Sequence, residues 1–133
     1  MENYEPRIGK ARENFERAGL KDRVTLYEGD ASLILPGLYG PYDLIFMDAA
    51  KGQYLHWLPE CERLLRPGGL LFSDNVLSGG DILEARTAVE RRDRTIHKRM
   101  REYLYELTHS EIWESTVVNA GDGVALSLKR TGR

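Results

Sequence analysis

Apolar residues recur along this chain with two distinct periods. In residues 6–18, Ile8, Ala11, Phe15 and Ala18 fall three or four apart and share one face of a predicted helix, with Pro6 in its first turn and Gly19 at its C-terminal cap. Tyr54, Leu58, Cys61 and Leu65 repeat that spacing, and Arg66-Pro67-Gly68-Gly69 stops this second helix. Ile96, Met100, Tyr103 and Leu107 mark one face of a third, predicted over residues 85–108. Short β-rich runs lie between the helices. Residues 24–27 read as a strand ended by Gly29-Asp30, and residues 43–48 as a second. The centre of the second, Leu44-Ile45-Phe46-Met47, is apolar on both faces, as expected of a strand covered on both sides of a parallel sheet. Leu70-Leu71-Phe72 opens another strand, and Ser78-Gly79-Gly80 reads as loop. Residues 114–118 and 124–128 flank Asn119-Ala120-Gly121-Asp122-Gly123 as an antiparallel hairpin. Strands alternating with helices predict an α/β sheet with right-handed crossovers, closed by that antiparallel pair.

Composition fits this picture. The chain has 133 residues, 41% hydrophobic and 30% charged, the make-up of one folded domain over residues 1–133 rather than of a disordered segment. No apolar run reaches bilayer length, and the first residues carry acids instead of a signal-peptide core, so no membrane partner is expected and a cytoplasmic location follows. Cys61 has no second cysteine to pair with and no clustered His for zinc, which assigns it to the core. A net charge of -2 creates no general attraction for nucleic acid, so such a partner would need a local patch.

Open α/β sheets bind ligands outside the carboxyl ends of their strands, so the residues where strands stop carry the chemistry. Asp30 ends the first run, Asp48 the second, and Asp74-Asn75 the third. If the last two strands are neighbours, Asp48, Asp74 and Asn75 converge as two carboxylates and an amide carbonyl. That hard-oxygen set suits Mg²⁺ or another divalent cation. Asp and Asn after a strand are also ordinary turn and cap residues, and Lys51, close behind Asp48, is equally readable as a solvated surface lysine.

Two longer motifs add to this reading. The segments YDLIFMDAAKGQY (42–54) and LLRPGGLLFSDNVL (64–77) resemble the catechol and caffeoyl-CoA type O-methyltransferases, which are metal-dependent and use S-adenosylmethionine, and the resemblance covers nearly the whole chain. It implies a divalent metal at Asp48, Asp74 and Asn75, and places Lys51 beside the acceptor hydroxyl as the candidate for taking its proton. It also implies that Asp48 lies at the cofactor, that Asp30 and Ala31 lie near the adenine ring, and that Glu2 is the acid for the ribose hydroxyls. Within the family, Arg91-Arg92 before the long helix and NAGDGVALS (119–127) are most similar to the bacterial tRNA 5-hydroxyuridine methyltransferases. The implied acceptor is then 5-hydroxyuridine in tRNA, where the 4-carbonyl takes the place of a catechol's second hydroxyl. A small catechol-like or caffeoyl-CoA-like phenol is the alternative, and a homodimer is implied for the full-length enzyme.

The family holds its cofactor on a Gly-rich turn after its first strand. Here only Met1 precedes Glu2, and the glycines at Gly68-Gly69, Gly79-Gly80, Gly121 and Gly123 sit in turns. The resemblance therefore implies a Rossmann-like methyltransferase sheet without its first strand and most of its second, a single partial domain ending in the hairpin. Weak binding of S-adenosylmethionine and inactivity are expected of this chain alone. A non-catalytic remnant pairing through its open sheet edge is the reading from a different class.

Between Arg86 and Arg101 the basic residues Arg86, Arg91, Arg92, Arg94, Lys98, Arg99 and Arg101 are offset by Glu90 and Asp93 alone. Arg91, Arg92, Arg94 and Lys98 are the candidates for holding tRNA phosphates, against the alternative of a merely solvated helix face. His56, His97 and His109 are scattered singly and carry no expected catalytic role, while Trp57 and Trp113 are expected to pack in the core.

Overall fold

The computed structural model describes residues 1–77, 82–83, 85, 90–91 and 93–132. The chain forms two compact units, Met1–Leu38 and Tyr39–Arg133.

In the first unit, helix α1 (Glu5–Arg17) forms where the three-and-four spacing predicts it. Glu5 in its first turn and Arg17 in its last complement the helix dipole. Gly19 then adopts a φ of 67°, which lets its N–H donate to Glu16 O and that of Leu20 donate to Phe15 O, the paired bonds that close a helix on glycine. Residues 24–27, expected as a strand, do not form one. Their pairing is limited to a parallel bridge between Glu2 and Glu28, with Glu2 N donating to Tyr27 O (3.1 Å) and Gly29 N to Glu2 O (2.9 Å). A β-rich run becomes a strand only where a partner offers a ladder. A four-residue helix α2 (Ala31–Ile34) and a 3₁₀ turn (Leu35–Gly37) complete the unit.

The second unit is a four-stranded sheet of β1 (Tyr42–Met47), β2 (Leu65–Asp74), β3 (Trp113–Val118) and β4 (Val124–Lys129), in the order β1-β2-β4-β3. Strands β1 and β2 are parallel, and the β3–β4 hairpin joins β2 antiparallel through β4. Helix α3 (Tyr54–Leu64) makes the crossover from β1 to β2, preceded by a 3₁₀ turn (Lys51–Gln53), and α4 (Arg94–His109) precedes the hairpin.

The covered face of the sheet carries Met47, Leu71, Ser73, Ala125 and Ser127, all buried. Both helices lie on that face, because the Tyr103 hydroxyl of α4 is hydrogen-bonded to Ser73 Oγ at 2.5 Å and Tyr54 of α3 packs edge-on against Tyr103 with ring centroids 5.5 Å apart. Tyr54, Trp57, Leu58, Cys61 and Leu64 supply the buried side of α3, and Trp113 is buried on β3, so both tryptophans and the cysteine are core residues. A fully buried side chain of this size contributes about 1.5–3 kcal/mol, which makes this layer the main support of the strand tips.

Three expectations need correction. Leu44 and Phe46 are 53% and 57% exposed, so β1 is not covered on both faces; its alternate residues lie on the side of the sheet opposite α3 and α4. Arg66-Pro67-Gly68-Gly69 does not stand between helix and strand but inside β2, where the register jumps from Tyr42↔Leu65 to Leu44↔Leu70. Gly68 (φ 75°) and Gly69, whose added Cβ would lie 2.9 Å from Arg66 O, let the strand bulge and continue. Helix α4 begins at Arg94 instead of residue 85: Ala85 and Glu90 are not helical, and Asp93 is the residue before its first turn. Its inward face is His97, Met100, Tyr103 and Leu107, while Ile96 is 43% exposed. Ser78, Gly79, Gly80, Arg86 and Arg92 lie outside the described residues.

Candidate active site at the strand tips

Register brings the expected acids together. Met47 of β1 and Ser73 of β2 are partners in the parallel ladder, so Asp48 and Asp74, each the next residue, leave the same end of two adjacent strands. Asn75 follows in the left-handed region with φ 57°, a conformation that Asn tolerates better than most residues, and its N–H donates to Asp74 Oδ1 at 2.8 Å.

One buried hydroxyl ties the two tips. Tyr54 Oη lies 3.1 Å from Met47 O and 3.0 Å from Asp74 O, and it accepts from Ala49 N at 3.3 Å. Tyr54 is fully buried, and burial together with the charges of Asp48 and Asp74 pushes its pKa up, against the lowering effect of the Ala49 N–H. In the sequence Tyr54 is a helix-face residue and the last residue of the motif of residues 42–54; its polar role depends on a contact between segments that periodicity does not register.

A third element closes on Asn75. Val76 N donates to Gly123 O (3.0 Å) and Leu77 N to Asp122 O (2.9 Å), so the hairpin loop docks along the segment after β2. From that loop Asp122 Oδ2 accepts from Asn75 Nδ2 at 3.2 Å. The sequence presented Asp122 as a turn residue between two glycines, and no local signal pointed to Asn75.

Lys51 opens the 3₁₀ turn after β1 and is half-buried. This turn is held from α4, where Arg99 Nη1 donates to Gly52 O at 3.2 Å. Asp48, Asp74, Asn75 and Lys51 therefore belong to one corner of the second unit.

Hard-oxygen donors of this kind fit a divalent cation: two carboxylates and an amide whose nitrogen is already engaged, leaving Oδ1 as its remaining donor atom. Among the described residues no group of three or more His, Cys, Asp or Glu side chains is placed to hold a metal.

In the first unit, Glu2 and Asp30 take part in local structure. Glu2 Oε1 accepts from Asn3 N and Tyr4 N, each at 3.0 Å, and Arg7 lies 3.4 Å from Oε2. The Tyr4 amide above all, then the Asn3 amide and Arg7, hold this carboxyl below its ordinary value. Asp30 Oδ1 caps α2 by accepting from Ser32 N at 2.7 Å, and Ala31 is the first residue of that helix. Asp30 thus acts as a helix cap through one of its two oxygens rather than as the turn at the end of a strand.

Of the basic candidates, Arg91 and Lys98 are exposed and Arg94 is half-buried. Lys98 lies 3.7 Å from Glu102, an exposed i,i+4 pair of small energetic weight. No described helix is long and apolar enough to cross a membrane.

Comparison with known proteins gives a consistent result. A protein family described as O-methyltransferase matches residues 2–130. A catechol O-methyltransferase of Niastella koreensis is 41% identical over 86 residues, 61% of this chain and 39% of the relative. A caffeoyl-CoA O-methyltransferase of Citrus natsudaidai is 31% identical over 137 residues, 98% of this chain and 57% of the relative. Among solved structures, an O-methyltransferase from Bacillus cereus in complex with SAH superposes with a TM-score of 0.83 at 25% identity, covering 96% of this chain and 60% of its own. The chain thus spans 39% and 57% of the lengths of these two relatives. With the strand-tip acids in register and the family match running almost end to end, the chain belongs to the O-methyltransferase family.

Proposed function

We propose that the protein carrying this chain transfers a methyl group from S-adenosylmethionine to a hydroxyl that sits beside a second oxygen, with a divalent cation held by Asp48, Asp74 and Asn75. The observation that carries this reading is the Met47↔Ser73 register, which sets two carboxylates side by side at the carboxyl end of a parallel pair. Bound there, the cation supplies a Lewis-acid contact that lowers the pKa of the acceptor hydroxyl, and S-adenosylmethionine supplies an electrophilic methyl group. Lys51, on the turn after Asp48, takes the hydroxyl proton. Glu2 is assigned to the ribose hydroxyls, and Asp30 with Ala31 to the adenine, where Asp30 Oδ2 is the carboxylate oxygen not used in capping.

For the acceptor, a catechol-like or caffeoyl-CoA-like phenol draws support from the names of the relatives. Incubation of a full-length protein carrying this chain with methyl-labelled S-adenosylmethionine, Mg²⁺ and catechol or caffeoyl-CoA tests it. Transfer should be abolished by EDTA and restored by Mg²⁺. Asp48→Ala and Asp74→Ala should each remove it almost completely, while full transfer in EDTA would refute the metal-assisted mechanism.

A second acceptor, 5-hydroxyuridine in tRNA, is favoured by one specific observation. Arg99 of α4 donates to Gly52 O in the turn that begins with Lys51, and the basic residues Arg91 and Lys98 are exposed at and near the start of the same helix, where a phosphate backbone could be held. Reversing Arg91 and Arg94 to Glu should then weaken tRNA binding and flatten its salt dependence by about one slope unit per lost phosphate contact. Unchanged binding, or no labelling of tRNA that lacks the mark, removes this acceptor.

A further inference from the structure

An asparagine that must present oxygen to a cation has a problem that aspartate lacks. Its amide has two chemically opposite ends, and a rotation of half a turn about the last side-chain bond replaces a lone pair with two N–H donors. Facing a cation, the wrong end is repulsive. Something must therefore choose the end.

The structure holds a device suited to that choice. Asp122, in the loop between β3 and β4, places Oδ2 3.2 Å from Asn75 Nδ2. An ionised carboxylate only accepts hydrogen bonds, so it can pair with the nitrogen end and not with the oxygen end. The position of Asp122 is itself fixed. Its backbone carbonyl accepts from Leu77 N at 2.9 Å, and the next carbonyl, Gly123 O, accepts from Val76 N at 3.0 Å. Gly123 has a φ of 83°, and a Cβ there would come within 2.6 Å of Leu77 Cβ, so the loop approaches the chain after Asn75 as closely as only glycine permits. Two main-chain bonds and one glycine contact thus aim a single carboxylate at a single amide.

We propose that Asp122 is a positioning residue that sets the orientation of the Asn75 amide, turning Oδ1 toward the cation shared with Asp48 and Asp74. This rests on the cation reading of the strand tips given above. Asp122 takes no part in the transfer itself. The hairpin, which joins β2 on the side away from β1, acquires through it a function in a site formed at the β1–β2 tips.

The two possible roles of Asp122, orientation and simple negative charge, are separable by a double-mutant cycle. Mn²⁺ binding to the full chain is followed by electron paramagnetic resonance for the wild type, Asp122→Asn, Asn75→Asp and the double variant, with urea unfolding of each to confirm folding. Asp122→Asn keeps the size of the side chain but offers both a donor and an acceptor, so it no longer selects one end of Asn75. Mn²⁺ affinity should fall by about tenfold or more, the range for partners that orient metal ligands. In the Asn75→Asp background both ends are oxygen and orientation is irrelevant. There Asp122→Asn also relieves the repulsion between two facing carboxylates, so affinity should not fall, and this loss of the penalty seen in the Asn75 background identifies orientation.

An equal loss in both backgrounds overturns the proposal and leaves Asp122 as a charge contributor only. Unchanged affinity for Asp122→Asn in the Asn75 background overturns it outright. Absence of Mn²⁺ binding in the folded wild-type chain counts instead against the cation reading, and takes the proposal with it. Should Asn75→Asp fail to fold, the salt dependence of Mn²⁺ binding supplies the second test: a charge role predicts that the loss for Asp122→Asn shrinks as ionic strength rises, and an orientation role that the loss persists.

Discussion

Replacing Tyr54 with Phe removes one oxygen atom from the point where β1, β2 and α3 meet, and the structure sets the size of the effect. The phenol carries one proton, so it donates at any moment to Met47 O (3.1 Å) or to Asp74 O (3.0 Å), while it accepts from Ala49 N at 3.3 Å. The variant therefore loses one donated and one accepted bond, and its ring stays in place against Tyr103. At about 1 kcal/mol net for each bond, with a further cost of about 1–3 kcal/mol where a buried group is left without a partner, the loss amounts to about 3–5 kcal/mol. With a urea dependence of about 2 kcal/mol per molar, the unfolding midpoint should fall by about 1.5–2.5 M at an unchanged slope. Mn²⁺ affinity should fall with it, because the carbonyls released belong to Asp74 itself and to the residue before Asp48. Tyr103→Phe is the matched control: it also removes a buried hydroxyl, here bonded to Ser73 at 2.5 Å, and should lower stability while leaving Mn²⁺ affinity unchanged. A Tyr54→Phe midpoint indistinguishable from wild type would refute the idea that this hydroxyl ties the strand tips. Equal effects of both variants on Mn²⁺ would show that the tips respond to general loosening of the core.

Gly123→Ala should destabilise the chain by more than about 2 kcal/mol, since it combines a positive φ with a methyl group driven against Leu77. Pairing it with Leu77→Ala should return part of that loss in the same urea titration, and no recovery would dissociate the cost from the contact. Burial pushes the Cys61 thiol up to about 12, with the Glu60 charge adding to the rise. Because the folded state then holds this proton more tightly than the unfolded state, whose thiol titrates near about 8.5, stability is intact below that pH and declines as pH rises toward 12. Tyr54 and Tyr103, whose pKa values burial also raises, add to the decline above pH 10. Cys61→Ala should flatten the first part of the alkaline limb in urea midpoints measured from pH 8 to 11, and an unchanged limb would remove the thiol as its cause.

What could be read from the chain alone divides along the range of the interactions involved. The helix of residues 6–18, the parallel strand pair and the hairpin were legible because each depends on a local period or a turn, and the structure forms all three. Asp48 and Asp74 were legible as a pair because strand ends are marked in the sequence and one crossover helix separates them. Helical period alone could not choose between Ile96 and His97 as the start of the buried side of α4, since both lie within four residues of Met100; hydropathy favours Ile96, yet the helix turns His97 inward. The residues most tightly bound to the strand tips were the least visible. Tyr54 reads as one more apolar position on a helix, and Asp122 as one more loop acid, until the fold carries them across 20 and 47 positions to Asp74 and Asn75. A side chain that bonds so far along the chain leaves no trace in the spacing of its neighbours. Supporting residues of a site made of strand ends will in general be hidden this way, because the strands fix where the ligands are while crossovers and hairpins, whose lengths vary freely, decide what reaches them.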